Sequence, residues 1–343
     1  MIGSSGGIRA TARQVRRHTA TSGGALDRGG RSAATVGARH PPRDPSAWLD
    51  SWTMPPSVEI HPLVTMEMLR ACERLQLQVW GFDDREGVPA AQMRAALHAG
   101  ALVAGAFVGR ELVGFAYGFP ALPHEAELLG PGLHSHMMAV VPEARGLGAG
   151  RRLKWYQRRW CVEHGMDWAT WTFDPLQARN ARLNLHHLGA VVHEYQVDFY
   201  GVLGGVLSGD LPTDRFVAVW ILTGAHVRSA AARDPVAAAY LLPEDGAAPE
   251  PAVAAPAADA AWALRRDDDG DAPSEPAVGL EAEAVWTAVP RDVNALRRAA
   301  PPRALAWAEA SRAVALDLIE RGYQVDAFVE GAMRWRPRGR NEE

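Results

Sequence analysis

The residues best placed to do chemistry lie between Leu133 and Gly150, in the stretch LHSHMMAVVPEARGLGAG. His134 and His136 are two positions apart. On an extended segment that spacing points both imidazoles to one face. An imidazole with its ordinary pKa near 6.5 is suited to take a proton from an amine that arrives as ammonium. Next come Gly146, Gly148 and Gly150, with a helical pattern directly behind them. Glycines let the backbone approach a ligand closely. The N–H groups and dipole of a helix start then favour an anion such as a phosphate or pyrophosphate. Arg145, Arg151 and Arg152 add positive charge at the rim of this turn.

Three phosphate motifs compete for these glycines. A Walker loop ends in Gly-Lys-Ser/Thr, whereas Gly150 is followed by Arg151 and Arg152. A dinucleotide fingerprint needs Gly-x-Gly-x-x-Gly on the chain's first strand, with an acid about 20 residues on. Asp167 could be that acid, but the spacing here is Gly-x-Gly-x-Gly and the strand is not the first. The third pattern, Arg-x-x-Gly-x-Gly, is present as Arg145, Gly148 and Gly150.

With Val140, Pro142 and Glu143 before it, this third pattern resembles the GNAT (GCN5-related N-acetyltransferase) superfamily, over roughly residues 59–222. The resemblance implies an acyl-CoA cosubstrate, acetyl-CoA first. Its pantetheine arm would lie where the strand before the loop splays from its neighbour. The backbone of Met138 and Val140 would face the thioester and pantetheine, and Met138 would polarise the carbonyl. Arg145, Gly146, Leu147, Gly148, Ala149 and Gly150 would hold the pyrophosphate, with Arg151 at the rim. Asn180 and Asn184, four apart on a helix, would bind CoA or substrate, or pin the turn at Asp174 and Pro175. His136 stands four residues before Val140, where the family often keeps a catalytic glutamate. The His-x-His pattern resembles that of arylalkylamine acetyltransferases, which makes His136 the general base and His134 a relay. The family's usual tyrosine acid is missing: aligned on Gly189, its place falls to Leu185. His186, Tyr195 and Tyr200 are the substitutes. Neither Cys72 nor Cys161 is in the motif, so attack is expected to be direct, in a ternary complex. A metal would need a third ligand beside the histidines, from His124, His186 or His187. The spacing does not supply it, and no metal is expected.

The elements that must position these groups follow from periodicity. Helical spacing covers 66–80 and 90–99. Strands are expected at 101–108 and 111–119, joined at Gly109-Arg110, and at 134–141, stopped by Pro142. A helix at 151–164, a strand at 167–173 and a helix at 176–188 closed by Gly189 follow. Strands at 191–199 and 216–222 complete an α/β domain, a mixed central sheet flanked by helices. Trp155, Trp160, Trp168, Trp171 and Phe173 are expected in its core. Glu125 and Glu127, in the loop before the histidine strand, read as solvated acids.

Outside this domain the composition shifts. Of 343 residues, 36 are Lys or Arg and 40 Asp or Glu, and Lys154 is the only lysine. Residues 1–53 carry eight arginines against three acids and no hydrophobic period. They read as a disordered tail extending to about residue 56, either transit-peptide-like or upstream of a true start at Met54. Residues 226–283 hold four arginines against twelve acids. They read as an acidic Ala/Pro-rich linker, in which Asp267, Asp268 and Asp269 are solvated rather than metal-binding. Segment 284–338 shows a strand at 284–289, a helix at 304–321 and a strand at 323–329. It is too small to form its own core and is expected to pack on the main domain. There it would extend the sheet, cover the substrate cleft or make a homodimer contact.

The remaining residues, 54–225 and 284–343, have 24 basic and 25 acidic side chains, without the basic excess of a nucleic-acid binder. No apolar run reaches membrane-spanning length. Two cysteines cannot frame a disulfide-rich fold, so a reducing cytoplasm is expected. The expected function is acyl transfer from acetyl-CoA to a small-molecule or peptide amine. The alternatives are acyl-CoA binding without turnover, motivated by the missing tyrosine, and a different phosphate ligand such as a nucleotide.

Overall fold

A computed structural model describes residues 57–81, 87–123, 128–201, 211–246, 251–267 and 272–339. The tail before residue 57, His124, Glu125, Glu127, Asp268 and Asp269 lie outside these residues. Strand β1 (Val58–Pro62) leads into helix α1 (Met66–Trp80). The Thr65 hydroxyl accepts from the Met68 N–H at the start of α1, and Gly81 ends it at φ 64°. Leu69, Cys72 and Leu75 make its buried stripe. Helix α2 (Ala90–His98) and the hairpin β2 (Leu102–Val108) and β3 (Glu111–Ala121) follow. Next come β4 (Gly132–Val140), helix α3 (Ala149–Glu163), β5 (Trp168–Phe173), a short helix α4 (Ala178–Ala181), β6 (Val191–Gln196) and β7 (Arg215–Ile221). Parallel β4 and β5 need a crossover, and α3 supplies it.

Helix α5 (Ala225–Arg233), β8 (Ala261–Leu264), β9 (Val285–Ala288), helices α6 (Val293–Ala299) and α7 (Pro301–Glu320), β10 (Tyr323–Val329) and β11 (Ala332–Pro337) complete the described chain. The strands of the described residues form one mixed sheet in the order β1-β2-β3-β4-β5-β7-β6-β10-β11-β9-β8. The expected α/β class, a mixed sheet flanked by helices, is what is observed. Strand β10 joins β6 antiparallel at Val325 and Val192, so the C-terminal strands continue the sheet of the first domain.

Two expectations need correcting. The stretch 226–283 is not a plain linker. Its first part forms α5 and two 3₁₀ turns, Pro235–Tyr240 and Pro243–Gly246, and it also contributes β8. Val227, Ala230, Ala231 and Ala237 are buried there. Two of its acids, Asp234 and Asp245, are buried counterions rather than solvated charges. The expected helix 176–188 starts at Ala178 and winds as a π-helix over Arg182–His187. Gly189 ends it at φ 67°, where a Cβ would stand 2.7 Å from the His226 carbonyl oxygen.

Candidate active site

The site is built around β4. Opposite β3, Tyr117 pairs with Met137 and Phe119 with His134. Ser135 and His136 therefore share the single partner Gly118, which is a β-bulge. On its other side β4 pairs with β5 at only two rungs, Leu133 with Ala169 and His134 with Thr170. Beyond them the strands diverge as a fork. The Val141 N–H donates to the Val113 carbonyl at 2.9 Å. Antiparallel alternation then turns the main-chain groups of Ala139 and Met137 toward β3, and those of Met138 and Val140 away from it, into the fork.

Both histidine rings lie against Phe119, at 5.4 Å for His134 and 5.7 Å for His136, so they share a face as expected. His134 Nδ1 is 3.3 Å from the Thr170 hydroxyl, at the last rung of the fork. His136 stands edge-on to Tyr117 at 5.9 Å. Burial lowers its pKa from the usual value, so the imidazole is a neutral proton acceptor near pH 7. The Tyr117 hydroxyl is engaged by Gln92 of α2. Between the histidines, Ser135 turns to the opposite face and accepts from Lys154 Nζ of α3 at 2.8 Å.

The glycine turn sits at the open end of the fork. Gly146 and Gly148 have φ of 88° and 79°, and Gly148 is the N-cap of α3 with no side chain to close it. The first N–H groups of α3 lack an intrahelical acceptor, as at any helix start. A Cβ on Gly150 would lie 3.6 Å from Met138 Cε, so this helix start packs directly on β4. Leu147 is half-buried and Ala149 buried beneath the turn. Arg145 and Arg179 are both exposed, and near enough to feel each other. Partial burial and then the Arg179 charge lower the Arg145 pKa, against the opposite pull of Glu143. Two mutually repelling guanidiniums at this turn suit a polyanion.

Arg151 keeps a guanidinium nitrogen beside the turn, 3.9 Å from where a Cβ on Gly148 would stand. Its guanidinium is held by Asp234 at 2.9 Å, and Asp234 also accepts from Trp155 Nε1 and the Val236 N–H, each at 3.0 Å. Asn180 is half-buried at the start of the helix after β5, its N–H bonded to the Gln177 carbonyl. Asn184 is buried. Leu185, in the tyrosine's place, is a core residue. Of the substitutes, Tyr195 is taken: its hydroxyl donates to Asp214 at 2.6 Å, and burial and that carboxylate push its pKa up. His186 packs on His187, and burial lowers its pKa. His187 is lowered to about 4 by burial and by Arg151. The Tyr200 hydroxyl is 3.1 Å from that of Thr172, two residues beyond Thr170 on β5. Among the described residues no group of three His, Cys, Asp or Glu could hold a metal. Trp155, Trp168, Trp171 and Phe173 are core residues.

Sequence reasoning missed Thr170 and Lys154. The available signal was compositional: one lysine in a chain whose other basic residues are all arginine.

Residues 66–189 match the model of the acetyltransferase (GNAT) family, so this part of the chain is a GNAT domain. No curated protein matches the chain significantly. Similar solved structures include the ribosomal-protein-S18-alanine N-acetyltransferase from Escherichia coli. It is 14% identical, with 48% of this chain and 94% of that one covered, and a TM-score of 0.38. A GNAT family acetyltransferase from Elizabethkingia anophelis with acetyl-CoA bound is 12% identical, covering 48% and 97%, with a TM-score of 0.37. Arabidopsis thaliana NAA60 in complex with a bisubstrate analogue is 16% identical, covering 48% and 98%, with a TM-score of 0.37.

Proposed function

We propose that this protein is an acyl-CoA-dependent N-acyltransferase that moves an acetyl group from acetyl-CoA to a small-molecule or peptide amine. The observation that carries the reading is the coincidence of the β4–β5 fork with the glycine turn at its open end. The turn and Arg145 take the pyrophosphate, with Arg179 beside them. The main-chain groups of Met138 and Val140 line the pantetheine arm, and the Met138 N–H polarises the thioester carbonyl. His136 accepts the proton of the attacking amine, and His134, steadied by Thr170, relays it. Attack is direct, since both cysteines are buried and their thiols are raised to about 12 by burial. Free, buried thiols accord with a reducing cytoplasm. No helix of the described residues is long and apolar enough to cross a membrane.

Calorimetric titration of the full chain with acetyl-CoA tests the reading. Binding is expected in the parent and not in Gly148→Glu, which places a carboxylate where the pyrophosphate lies. Absence of binding at roughly 1 mM ligand would overturn it. Binding without CoA release across a broad amine panel would favour the non-catalytic alternative that Leu185 motivates.

A further inference from the structure

Lys154 is buried on α3, beneath the closed end of the fork, and has no acidic partner among the described residues. Its Nζ donates to Ser135 of β4 at 2.8 Å and to the Gln157 side chain at 3.0 Å, and lies 3.6 Å from the ring centroid of Trp171 on β5. Ser135 and Trp171 are the first residues past the last β4–β5 rung. The amine thus bridges both arms of the fork at the level where they part. Two oxygen acceptors and an aromatic face are the surroundings of an ammonium with three donors. Yet burial brings the Lys154 pKa down to about 7, slightly opposed by Cys161. A group poised there can hold a proton and also give it away. Arginine could not: it stays charged and its planar fork needs more room. Every other basic residue in the chain is arginine, and this position is lysine.

We propose that Lys154 is the proton donor to the departing CoA thiolate, filling the role that Leu185 cannot. The proposal rests on the acyl-CoA reading above. As the amine nitrogen bonds to the acyl carbon, His136 takes the proton the nitrogen gives up. The carbon–sulfur bond then breaks with its electron pair on sulfur, and the Lys154 ammonium passes a proton to that sulfur. The products are the amide and CoA thiol. Exchange with solvent returns a proton to Lys154 and removes one from His136.

The test compares the full chain with Lys154→Met by calorimetry with desulfo-CoA, which lacks only the thiol, and by the pH dependence of CoA release from acetyl-CoA with an accepted amine. A donor works when protonated, so kcat in the parent should fall as pH rises through the Lys154 pKa. Lys154→Met should lose about 10²-fold or more in kcat together with that alkaline limb, while binding desulfo-CoA as before. A purely structural lysine would weaken desulfo-CoA binding along with kcat, or leave the alkaline limb in place, and either result overturns the proposal. An unchanged kcat in Lys154→Met overturns it as well, and leaves the acyl-CoA reading standing. If neither acetyl-CoA nor desulfo-CoA binds the parent, the acyl-CoA reading itself has failed.

Discussion

Arg158 and Asp245 meet in a two-pronged ion pair, Nη1 to Oδ2 and Nη2 to Oδ1 at 2.6 Å each, with both side chains 1% exposed. The pair fastens α3, the helix behind the glycine turn, to a 3₁₀ turn nearly ninety residues further on. Removing one partner of such a pair leaves a buried charge uncompensated. Asp245→Ala should therefore lose about 3–5 kcal/mol of stability, read from denaturant midpoints.

His136→Ala should reduce acyl transfer by roughly 10²–10⁴-fold, the usual range for a lost general base. Burial lowers the imidazole pKa. A base works when neutral, so activity should fall as pH drops through that value. In a pH profile of kcat/KM, the acid limb should lie below the 6.5 of an ordinary histidine. A limb at or above 6.5 would remove His136 from the role.

Arg145 and Arg151 should behave differently although both flank the same turn. Arg145→Glu should weaken acetyl-CoA binding at least about tenfold, and the remaining affinity should respond less to salt. Arg151→Ala should change affinity little, because that guanidinium is already held by Asp234. It should instead lower the melting temperature, since Asp234 is buried. Titration and thermal unfolding of the two variants separate the cases.

Lys154 makes stability depend on pH in a definite direction. Its pKa is about 7 when folded, against roughly 10.4 when unfolded. Between those values the unfolded chain binds more protons, so stability from this group rises with pH and is lost as pH falls toward 7. The buried cysteines act with the opposite sign, since folding raises their pKa values. The informative quantity is the difference between the parent and Lys154→Met. The parent should gain on the variant from pH 7 to pH 9.

Much of the positioning framework could be read from residue order. The β2–β3 hairpin follows from two apolar runs meeting at Gly109-Arg110, and α1 from a stripe that ends at Gly81. Strand β1 escapes the periodicity, because VEIHP is short and ends in proline. Helix α5 was hidden for another reason. An alanine-rich, acid-rich stretch looks like a linker until its acids find Arg151 and Arg158, more than eighty residues earlier. The histidines and the glycine turn announced themselves through local spacing. The bulge at Ser135 and His136 and the place of Lys154 did not. Both depend on how α3 crosses two strands that part, a long-range relation that no local pattern encodes.

Strand β11, at the C-terminal end of the described chain, lies between β10 and β9 rather than at a rim of the sheet. During synthesis, β9 emerges long before the strand that must join it to the rest. The first domain can fold as it leaves the ribosome. The C-terminal strands must wait until β11 is free, and their distant pairings make that step slow. Until then the facing edges of β10 and β9 show the cell unpaired rows of backbone donors and acceptors, templates for misassembly with other nascent chains. Removal of β11 would make that transient hazard permanent.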